Sequence, residues 1–399
     1  MKKDWTYKKL GEVCEVFCDG DWIESKDQSE DGIRLIQTGN VGNGVYRDKA
    51  DKSKYISEET FKQLNCTEIF PGDILVSRLP DPIGRACIIP DTGSRMITAV
   101  DCSIIRLKEC INPNLFVYYT RSDRYSKNID KYTTGTTRKR ISRSNLALLS
   151  VPIPSLEEQQ QIVAELDLLS GMIEKQKAQI EELDKLSQSI FYDMFGDPVT
   201  NEKGWEVKNL KDIAVKIGSG ATPRGGNQSY KDEGISLIRS MNVHNNLFVY
   251  DDLAFIDDEQ ATQLNNVIVE ANDVLLNITG ASVARCCIVP DDVLPARVNQ
   301  HVCIIRPNTE LANSIYLNRF LTSIEEQSVL LLLSRSNAAT REALPKNLLE
   351  NCNIVLPPLS LQQEFAAKIE AIEAMKAKVR HSLKEAETLF NSRMDYYFN

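Results

Sequence analysis

One loop near the start of the chain has residue types and a spacing that could bind a catalytic metal. In DGDWIESK (19–26), Asp19 or Asp21 precedes Glu24 and Lys26, as in the acidic-x-Lys arrangement with which many nucleases hold Mg²⁺. Such triplets arise easily by chance, and GSGATPRGGN (218–227), the matching stretch of the second half, has no carboxylate. A nuclease is therefore the enzyme alternative, and a polar DNA-facing or solvated loop is the interpretation that we favour. Trp22 in this loop could stack on a base or anchor the loop.

Cysteine and histidine are the other residues that could bind a metal. Cys14 and Cys18 form a C-x3-C pair, but the three histidines, His244, His301 and His381, supply no second ligand pair at zinc-site spacing. We therefore predict no metal site. Because the start of the chain lacks the apolar segment of an export signal, the ten cysteines are predicted to be reduced core thiols of a cytoplasmic protein.

Other catalytic patterns are missing from the sequence. There is no GxxxxGK[ST] phosphate loop, no GxGxxG loop after a strand, and no [DNS]PP[YFW] tetrapeptide of the amino-methyltransferases. No apolar run approaches the roughly 18–20 residues that cross a bilayer. We predict no catalytic residue, no cofactor in this chain and no membrane span.

The charge distribution contains a local basic segment that the net charge hides. The chain carries a net charge of −9, but residues 121–145 hold eight basic against two acidic side chains. Such a segment either faces a polyanion or is widely solvated.

The elements that must position these residues occur twice. The following stretches match at offsets of 200 to 203 residues: WTYKKLGEV with WEVKNLKDI, GIRLIQTGNV with GISLIRSMNV, IGRACIIP (83–90) with VARCCIVP (283–290), AVDCSIIR with NQHVCIIR, and VPIPSLEEQQQIV with IVLPPLSLQQEFA. Solenoid repeats have periods of about 20–50 residues. The chain is therefore a duplicated unit of about 200 residues.

Each copy has the pattern of an α+β module. Short β-rich runs are separated by Gly, Asp and Pro turns. A single helix is predicted over 112–125 in the first copy and over 313–333 in the second, each followed by a polar loop, a short strand and a long helix.

The two long helices carry apolar residues at alternating three- and four-residue steps, which is the seam of a coiled coil. The polar interruptions are Gln176, Ser187 and Lys376. The alternative is an amphipathic helix packed on its own module. The predicted seam residues are Ile162, Leu166, Leu169, Ile173, Ile180, Leu183, Phe365, Ile369, Ile372, Val379 and Leu383.

Geometry then suggests an architecture for the whole chain. A helix of some 35 residues is about 50 Å long, and the turn FGDPVTNEKGW (195–205) breaks the first one. The second helix buries its seam most easily by returning antiparallel, which predicts a pseudo-two-fold repeat. The predicted segments are a domain at 1–155, a helix at 156–195, a second domain at 196–358 and a second helix at 359–399.

At this point the chain resembles a known family. The stretches GIRLIQTGNV, PGDILVSRLPDPIGRACIIP, TAVDCSIIR, TTGTTRKRIS, VPIPSLEEQQQIV and MFGDP, with their second-half counterparts, are similar to the specificity (S) subunit of Type I restriction–modification systems. The resemblance covers essentially the whole chain. It implies two mixed α/β target-recognition domains, each reading one half of a split double-stranded DNA site, joined by an antiparallel two-helix coiled coil that fixes the spacing.

The resemblance also implies partners that carry the chemistry. Two methyltransferase (M) subunits would dock on the helices, and translocase–nuclease (R) subunits would join them. S-adenosylmethionine, ATP and Mg²⁺ would belong to those partners, and the target base would be flipped into an M subunit.

DNA contacts are expected from arginine, lysine, asparagine, glutamine, serine and threonine on loops. Arg85 and Arg285 have an alternative role as ion-pair partners inside the domain. Expected in the first copy are Arg78, Arg85, Thr136, Thr137, Arg138, Lys139, Arg140 and Ser142; expected in the second are Asn277, Ser282, Arg285, Asn299, Gln300, Arg335, Ser336, Asn337, Thr340 and Arg341.

The second domain has an acidic balance, with 14 basic against 20 acidic residues in 196–358. It is therefore expected to bind DNA weakly until partner subunits add positive surface. A protein-binding scaffold is the remaining alternative from a different functional class.

Overall fold

The structure is a computed structural model that describes residues 5–135, 139–223, 226–336 and 342–399, apart from the side chains of Asn227 and Ser336. The chain divides into two compact units. Unit 1 comprises Met1–Lys177 with His381–Asn399, and unit 2 comprises Ala178–Arg380. Within the described ranges, no helix is both long and apolar enough to cross a membrane.

Unit 1 is built on two four-stranded sheets with orders β2-β9-β6-β7 and β4-β3-β8-β5. The first sheet is antiparallel, and the second contains one parallel pair, β3 with β8. Two short ladders, β1-β12 and β10-β11, complete the described strands. The strands are β1 (Thr6–Lys9), β2 (Cys14–Asp19), β3 (Ile33–Ile36), β4 (Lys54–Ile56), β5 (Glu68–Ile69), β6 (Ile74–Ser77), β7 (Ala86–Ile88), β8 (Met96–Thr98), β9 (Cys102–Leu107), β10 (Thr133–Thr134), β11 (Arg140–Ile141) and β12 (Ser150–Ile153).

The central strands of unit 1 are apolar on both faces because each face is covered. In β6, Ile74 and Val76 join the core that also contains the helices, whereas Leu75 points into a separate core on the other face. Ile105 and Ile104 of β9 divide in the same way. Successive side chains of a strand alternate between faces, so a strand buried on both sides appears as a continuous apolar run.

Serine and asparagine caps set the helix starts of unit 1, and they correct one prediction. The single helix predicted over 112–125 is two helices, because the Ser122 side chain accepts a hydrogen bond from the backbone N–H of Tyr125 and starts a new helix. The helices are α1 (Glu58–Gln63), α2 (Pro113–Thr120), α3 (Asp123–Tyr132), α4 (Arg143–Ala147) and α5 (Leu156–Phe195), the last of which continues into unit 2.

Unit 2 repeats this arrangement, with sheets ordered β14-β23-β20-β21 and β18-β15-β22-β19 and short ladders β13-β24 and β16-β17. The strands are β13 (Glu206–Asn209), β14 (Ala214–Ser219), β15 (Ile235–Ile238), β16 (Val243–His244), β17 (Leu247–Phe248), β18 (Ala254–Ile256), β19 (Ile268–Val269), β20 (Val274–Asn277), β21 (Cys286–Ile288), β22 (Ala296–Val298), β23 (Val302–Pro307) and β24 (Asn353–Leu356). The helices are α6 (Leu210–Ile213), α7 (Asp258–Thr262), α8 (Ser314–Leu321), α9 (Ile324–Ser336), α10 (Lys346–Glu350) and α11 (Leu359–Phe398).

The helix predicted over 313–333 is also divided, into α8 and α9. Ser323 lies between them, and its hydroxyl accepts a hydrogen bond from the backbone N–H of Glu326 at 3.3 Å. The interruption therefore has the same chemical cause in both units, a serine that caps the second helix.

One buried ion pair also occurs in both units. Asp73 accepts two hydrogen bonds from Arg106, at 2.8 and 2.9 Å, and Asp273 accepts two from Arg306, at 2.7 and 2.8 Å. Each aspartate also accepts a backbone N–H from three residues earlier in the chain. Because both carboxylates are buried, these bidentate contacts hold the turn before the central strand in each unit.

Both units contain an antiparallel pair of helical segments from α5 and α11. In unit 1, Glu165 pairs with Arg393, and the Gln176 amide donates to the Ser382 hydroxyl at 2.7 Å. In unit 2, Phe191 stacks edge-on against Phe365, with 5.8 Å between ring centroids. Within each unit, contacts made by later residues of α5 involve earlier residues of α11, so the two segments run antiparallel.

The predicted seam lies on the packed side of these helices. Ile180, Leu183, Val379 and Leu383 are half-buried, and the remaining seam residues are buried: Ile162, Leu166, Leu169, Ile173, Phe365, Ile369 and Ile372. The polar interruptions have partners or are buried too. Lys376 is buried and donates to Asp184 at 2.6 Å and to Glu373 at 2.7 Å.

Candidate nucleic-acid interface

The turn between β6 and β7 of unit 1 carries two buried arginines that contact groups of the same domain. Arg78 is buried, donates to the carbonyl oxygen of Val100 at 2.5 Å and lies 3.6 Å from the Asp19 carboxylate. Arg85 is 8% exposed and donates to four backbone carbonyls, those of Thr38, Val41, Leu79 and Pro82, at 2.7 to 3.0 Å. Burial lowers the pKa of the Arg85 guanidinium.

These contacts give Arg85 a structural role in the free chain, although not through the ion pair that the sequence suggested. The guanidinium closes the β6–β7 turn onto the loop after β3 by hydrogen bonds to carbonyls. Since its donors are occupied by carbonyls and its side chain is buried, Arg85 has few N–H groups that a ligand could reach. Removing it would take one donor from each of the four carbonyls, of which Thr38 and Leu79 keep a second, from the Val41 N–H and the Ser77 hydroxyl.

The basic segment of unit 1 lies beside this turn. Thr133 and Thr134 pair with Ile141 and Arg140, and the backbone N–H of Ile141 donates to the Arg78 carbonyl at 3.2 Å. Lys139 and Arg140 are exposed. The Ser142 hydroxyl caps α4 by accepting from the Asn145 N–H. Thr136, Thr137 and Arg138 lie outside the described residues.

Unit 2 holds the equivalent loop with a different side chain. The Asn277 amide donates to the carbonyls of Ser240 and Val243, at 2.8 and 3.2 Å. Ser240 and Val243 match Thr38 and Val41 of unit 1 in the duplicated sequence. Asn277 is buried and replaces the Arg85 clamp. Arg285, the counterpart of Arg85, is half-buried and makes no side-chain hydrogen bond or ion pair with any residue in the described ranges.

Arg285 lines an open cavity of about 870 Å³ in unit 2. The walls include Ser282, Thr279 and His301, and segment 342–344 closes one side through backbone hydrogen bonds from Leu344 to Ile278 and from Gly280 to Glu342. The cavity therefore combines a guanidinium with hydroxyl groups. Sequence reasoning missed Thr279 and His301, which flank the predicted Asn277 and Gln300 and gave no signal of their own.

A chain of polar contacts supports one wall of the cavity. The Thr222 hydroxyl contacts the Gln300 amide oxygen, the Gln300 amide nitrogen lies 3.1 Å from His301 Nε2, and His301 Nδ1 lies 2.5 Å from the Thr279 hydroxyl. Asn299 is buried, and its side chain accepts the His301 backbone N–H at 3.0 Å. Gln300 is exposed, whereas Asn299 acts inside the loop.

The remaining predicted residues of unit 2 follow α9. Arg335 is exposed and pairs with Glu342 at 2.8 Å. The side chain of Ser336, and Asn337, Thr340 and Arg341, lie outside the described residues.

The loop that suggested a nuclease does not gather its carboxylates. Asp21 accepts the backbone N–H of Thr67 at 2.8 Å, whereas Glu24 is exposed and contacts Trp22 and Lys26. Among the described residues, no group of three or more His, Cys, Asp or Glu side chains could hold a metal. Trp22 is 71% exposed.

The paired cysteines near the start are ordinary thiols. All ten cysteines are free. Cys14 donates to the Leu10 carbonyl at 3.0 Å, and burial raises the pKa of its thiol to about 12. Cys18 is half-buried, and burial raises its pKa as well. Both thiols therefore favour the protonated form, which is a poor metal ligand.

Comparison with known proteins gives a consistent result over both units. A family model described as the Type I restriction modification DNA specificity domain matches residues 2–185 and again residues 202–387. The MjaIX specificity subunit of a type I restriction enzyme from Methanocaldococcus jannaschii is 26% identical, over 93% of this chain and 87% of that protein. The StySPI specificity subunit from Salmonella potsdam is 22% identical, over 91% and 80%.

Solved structures show the same fold. The crystal structure of a Type-I restriction-modification system S subunit from M. genitalium aligns with a TM-score of 0.62 at 14% identity, covering 98% of this chain and 96% of that one.

Proposed function

Because this chain belongs to the family of Type I restriction–modification specificity subunits, the non-catalytic components of their complexes, we propose that each of its two units reads one half of a bipartite double-stranded DNA site. The observation that carries the proposal is the duplication of the recognition loops. In both units, a polar segment after the helices is tied by a backbone hydrogen bond to the residue that follows the central strand, Ile141 to Arg78 and Leu344 to Ile278.

In unit 1, the proposed contacts are electrostatic. Lys139 and Arg140 are exposed on a segment that is rich in basic residues, and exposed cations of this kind contact phosphates. Thr136, Thr137 and Arg138 stay part of this proposed surface, whereas Arg85 is omitted because its donors are occupied within the domain.

In unit 2, the proposed contacts surround the open cavity. Ser282, Arg285 and Gln300 have exposed or half-buried side chains, and Arg335 is exposed and pairs with Glu342, which lines the cavity. Asn277 and Asn299 are assigned to holding the loops. Ser336, Asn337, Thr340 and Arg341 remain expected contacts.

The two long helices are proposed to form a coiled coil that sets the spacing between the half-sites and docks two M subunits. R subunits would join that assembly. Methylation with S-adenosylmethionine and ATP-driven steps would take place in these partners, and the complex would work in the cytoplasm. The acidic balance of unit 2 supports the further expectation that the isolated chain binds DNA weakly.

Methylation mapping of DNA exposed to the complex of this chain with its M subunits tests the proposal. We expect one split motif that disappears when this chain is omitted. Arg140→Ala should weaken binding to all sequences and reduce the slope of log K against log salt by about 0.9, whereas Lys62→Ala, an exposed lysine on α1, should change neither.

Two results would contradict the proposal. Plasmid cleavage by the pure chain with Mg²⁺, abolished by Glu24→Ala, would establish the nuclease alternative. Assembly with partners that never shows sequence-selective DNA binding would establish a scaffold.

A further inference from the structure

Two arginines at matching positions of the duplicated sequence have different environments. Arg85 donates to four carbonyls, and Asn277 donates to the counterparts of two of them, those of Thr38 and Val41, in unit 2. The asparagine therefore releases Arg285 from the internal role. The Arg285 guanidinium is half-buried and makes no hydrogen bond or ion pair with the described residues, so its donors are available to acceptors that a ligand provides.

The donor and the acceptor of each hydrogen bond in the neighbouring polar chain can be assigned. The Thr222 hydroxyl donates to the Gln300 amide oxygen, so the amide nitrogen of Gln300 must donate to His301 Nε2. His301 therefore carries its proton on Nδ1 and donates it to the Thr279 oxygen at 2.5 Å. The Thr279 hydroxyl proton is left to donate into the cavity that Arg285 lines.

The acidic residue in the cavity lining, Glu342, is paired with another residue and not with these donors. Glu342 lines the same cavity, but its Oε1 accepts from Arg335 at 2.8 Å. Arg285, Thr279 and Ser282 thus line one cavity with donor groups. A matching ligand has several acceptors on one edge.

We infer that this cavity reads a guanine through its major-groove edge, with Arg285 donating to O6 and N7; the inference rests on the proposed function. Guanine presents two adjacent acceptors there, whereas adenine presents an acceptor and a donor, so two parallel N–H groups distinguish them. A phosphate offers acceptors too, but contacts to phosphate carry no sequence information. Arg285 is flanked by the Thr279 and Ser282 hydroxyls and has no carboxylate partner among the described residues, whereas Arg335 is exposed and pairs with Glu342.

The test compares variants in the full complex with the M subunits, using a duplex library and a salt titration. The wild-type complex should select a split motif with a guanine in one half. Arg285→Gln should reduce the preference for that guanine by roughly 5- to 150-fold, leaving the other half-site and the salt slope unchanged. Arg285→Lys, which keeps the charge but not the two-pronged geometry, should lose much of the same preference.

Two matched controls separate base reading from other roles. Arg140→Gln, on the basic segment of unit 1, should weaken all sequences alike and lower the salt slope by about one. Arg85→Gln should lower the melting temperature of unit 1, whereas Arg285→Gln should not alter that of unit 2.

Several outcomes would overturn the inference. A uniform loss of affinity with a lower salt slope in Arg285→Gln would assign Arg285 to a phosphate, and early melting of both Arg285 variants would assign it to holding the fold. An unchanged motif in both variants would also refute it. A wild-type complex without any split motif would instead refute the proposed function itself.

Discussion

Replacing Gly84 with alanine should destabilise unit 1 more than the same change at Gly72 of that unit. Gly84 has φ of +83°, and a Cβ there would lie 2.7 Å from Ile129 Cδ1 and 3.1 Å from Tyr125 Cε1. The left-handed conformation costs an L-residue about 1–2 kcal/mol, and overpacking adds about 1–3 kcal/mol. We therefore expect Gly84→Ala to lower the free energy of unfolding of unit 1 by about 2–5 kcal/mol.

Gly72 is the matched control because it isolates the backbone cost. Its φ is +91°, but a Cβ there would meet no atom within 4 Å. Gly72→Ala should therefore lower the free energy of unfolding by only about 1–2 kcal/mol. The difference between the two variants measures the clash with Ile129 and Tyr125.

Unit 2 carries alanine, Ala284, at the position that matches Gly84. Ala284 has φ of +70° and is buried, so its unit already accommodates the methyl group. The position three residues after the capping serine, which Tyr125 occupies in unit 1, is Glu326 in unit 2. In Ala284→Gly, relief of strain and loss of the buried methyl oppose each other, so the free energy should change by less than about 1 kcal/mol.

Hydrogen exchange followed by mass spectrometry resolves the two units. Peptides from β6 and β7 should exchange at least about 30-fold faster in Gly84→Ala, in the regime where exchange follows the opening equilibrium, and peptides from β20 and β21 should be unchanged. Equal losses of unfolding free energy in Gly84→Ala and Gly72→Ala would contradict this prediction, because they would show that the contact with Ile129 adds no cost at this turn.

Three further predictions concern the helices and one buried acid. Leu166→Asp places a charge at a fully buried seam position and should cost about 4 kcal/mol or more, with loss of complex assembly on a sizing column, whereas Leu168→Asp, 66% exposed, should leave assembly intact. Burial raises the pKa of Glu326 from 4.5 to about 7, so unit 2 loses stability as the pH rises between these values. In denaturant titrations, Glu326→Gln should stabilise unit 2 by up to about 3 kcal/mol at pH 8 but hardly at pH 5. Equal effects at both pH values would contradict this prediction. Lys376→Met should change the stability of unit 2 by less than about 1 kcal/mol in hydrogen exchange, because Asp184 is exposed to water and Glu373 keeps an arginine partner at 2.9 Å; a large loss would show that the ion pair holds unit 2.

Much of the fold follows from local patterns in the sequence. The duplicated apolar runs predict β-strands, and the structure has strands there. Their continuous apolar pattern arises because both faces are buried, as Ile104 and Ile105 are on opposite faces of β9. The long helices follow from a periodicity sustained over many turns. The breaks at Ser122 and Ser323 were missed because a serine in an apolar helical pattern predicts a cap only when the local backbone is known.

The site was harder to predict because its chemistry depends on distant partners. Arg85 and Arg285 stand in nearly the same local sequence, yet their contacts differ: Arg85 donates to the Thr38 and Val41 carbonyls, whereas Asn277 donates to the matching carbonyls in unit 2. No local pattern reports that exchange. His301 was likewise missed because its significance depends on Gln300 and Thr279 meeting it from different segments.

The discontinuity of unit 1 has a consequence for how the protein is made. Its core includes Ala386, Phe390, Met394 and Phe398 from α11, whereas unit 2 is one continuous stretch, Ala178–Arg380. At a synthesis rate of roughly 5–20 residues per second, the intervening stretch takes the ribosome about 10–40 s. The apolar face that residues 386–398 cover in unit 1 therefore waits uncovered on the nascent chain while unit 2 emerges, and chaperone demand should be greatest during that interval.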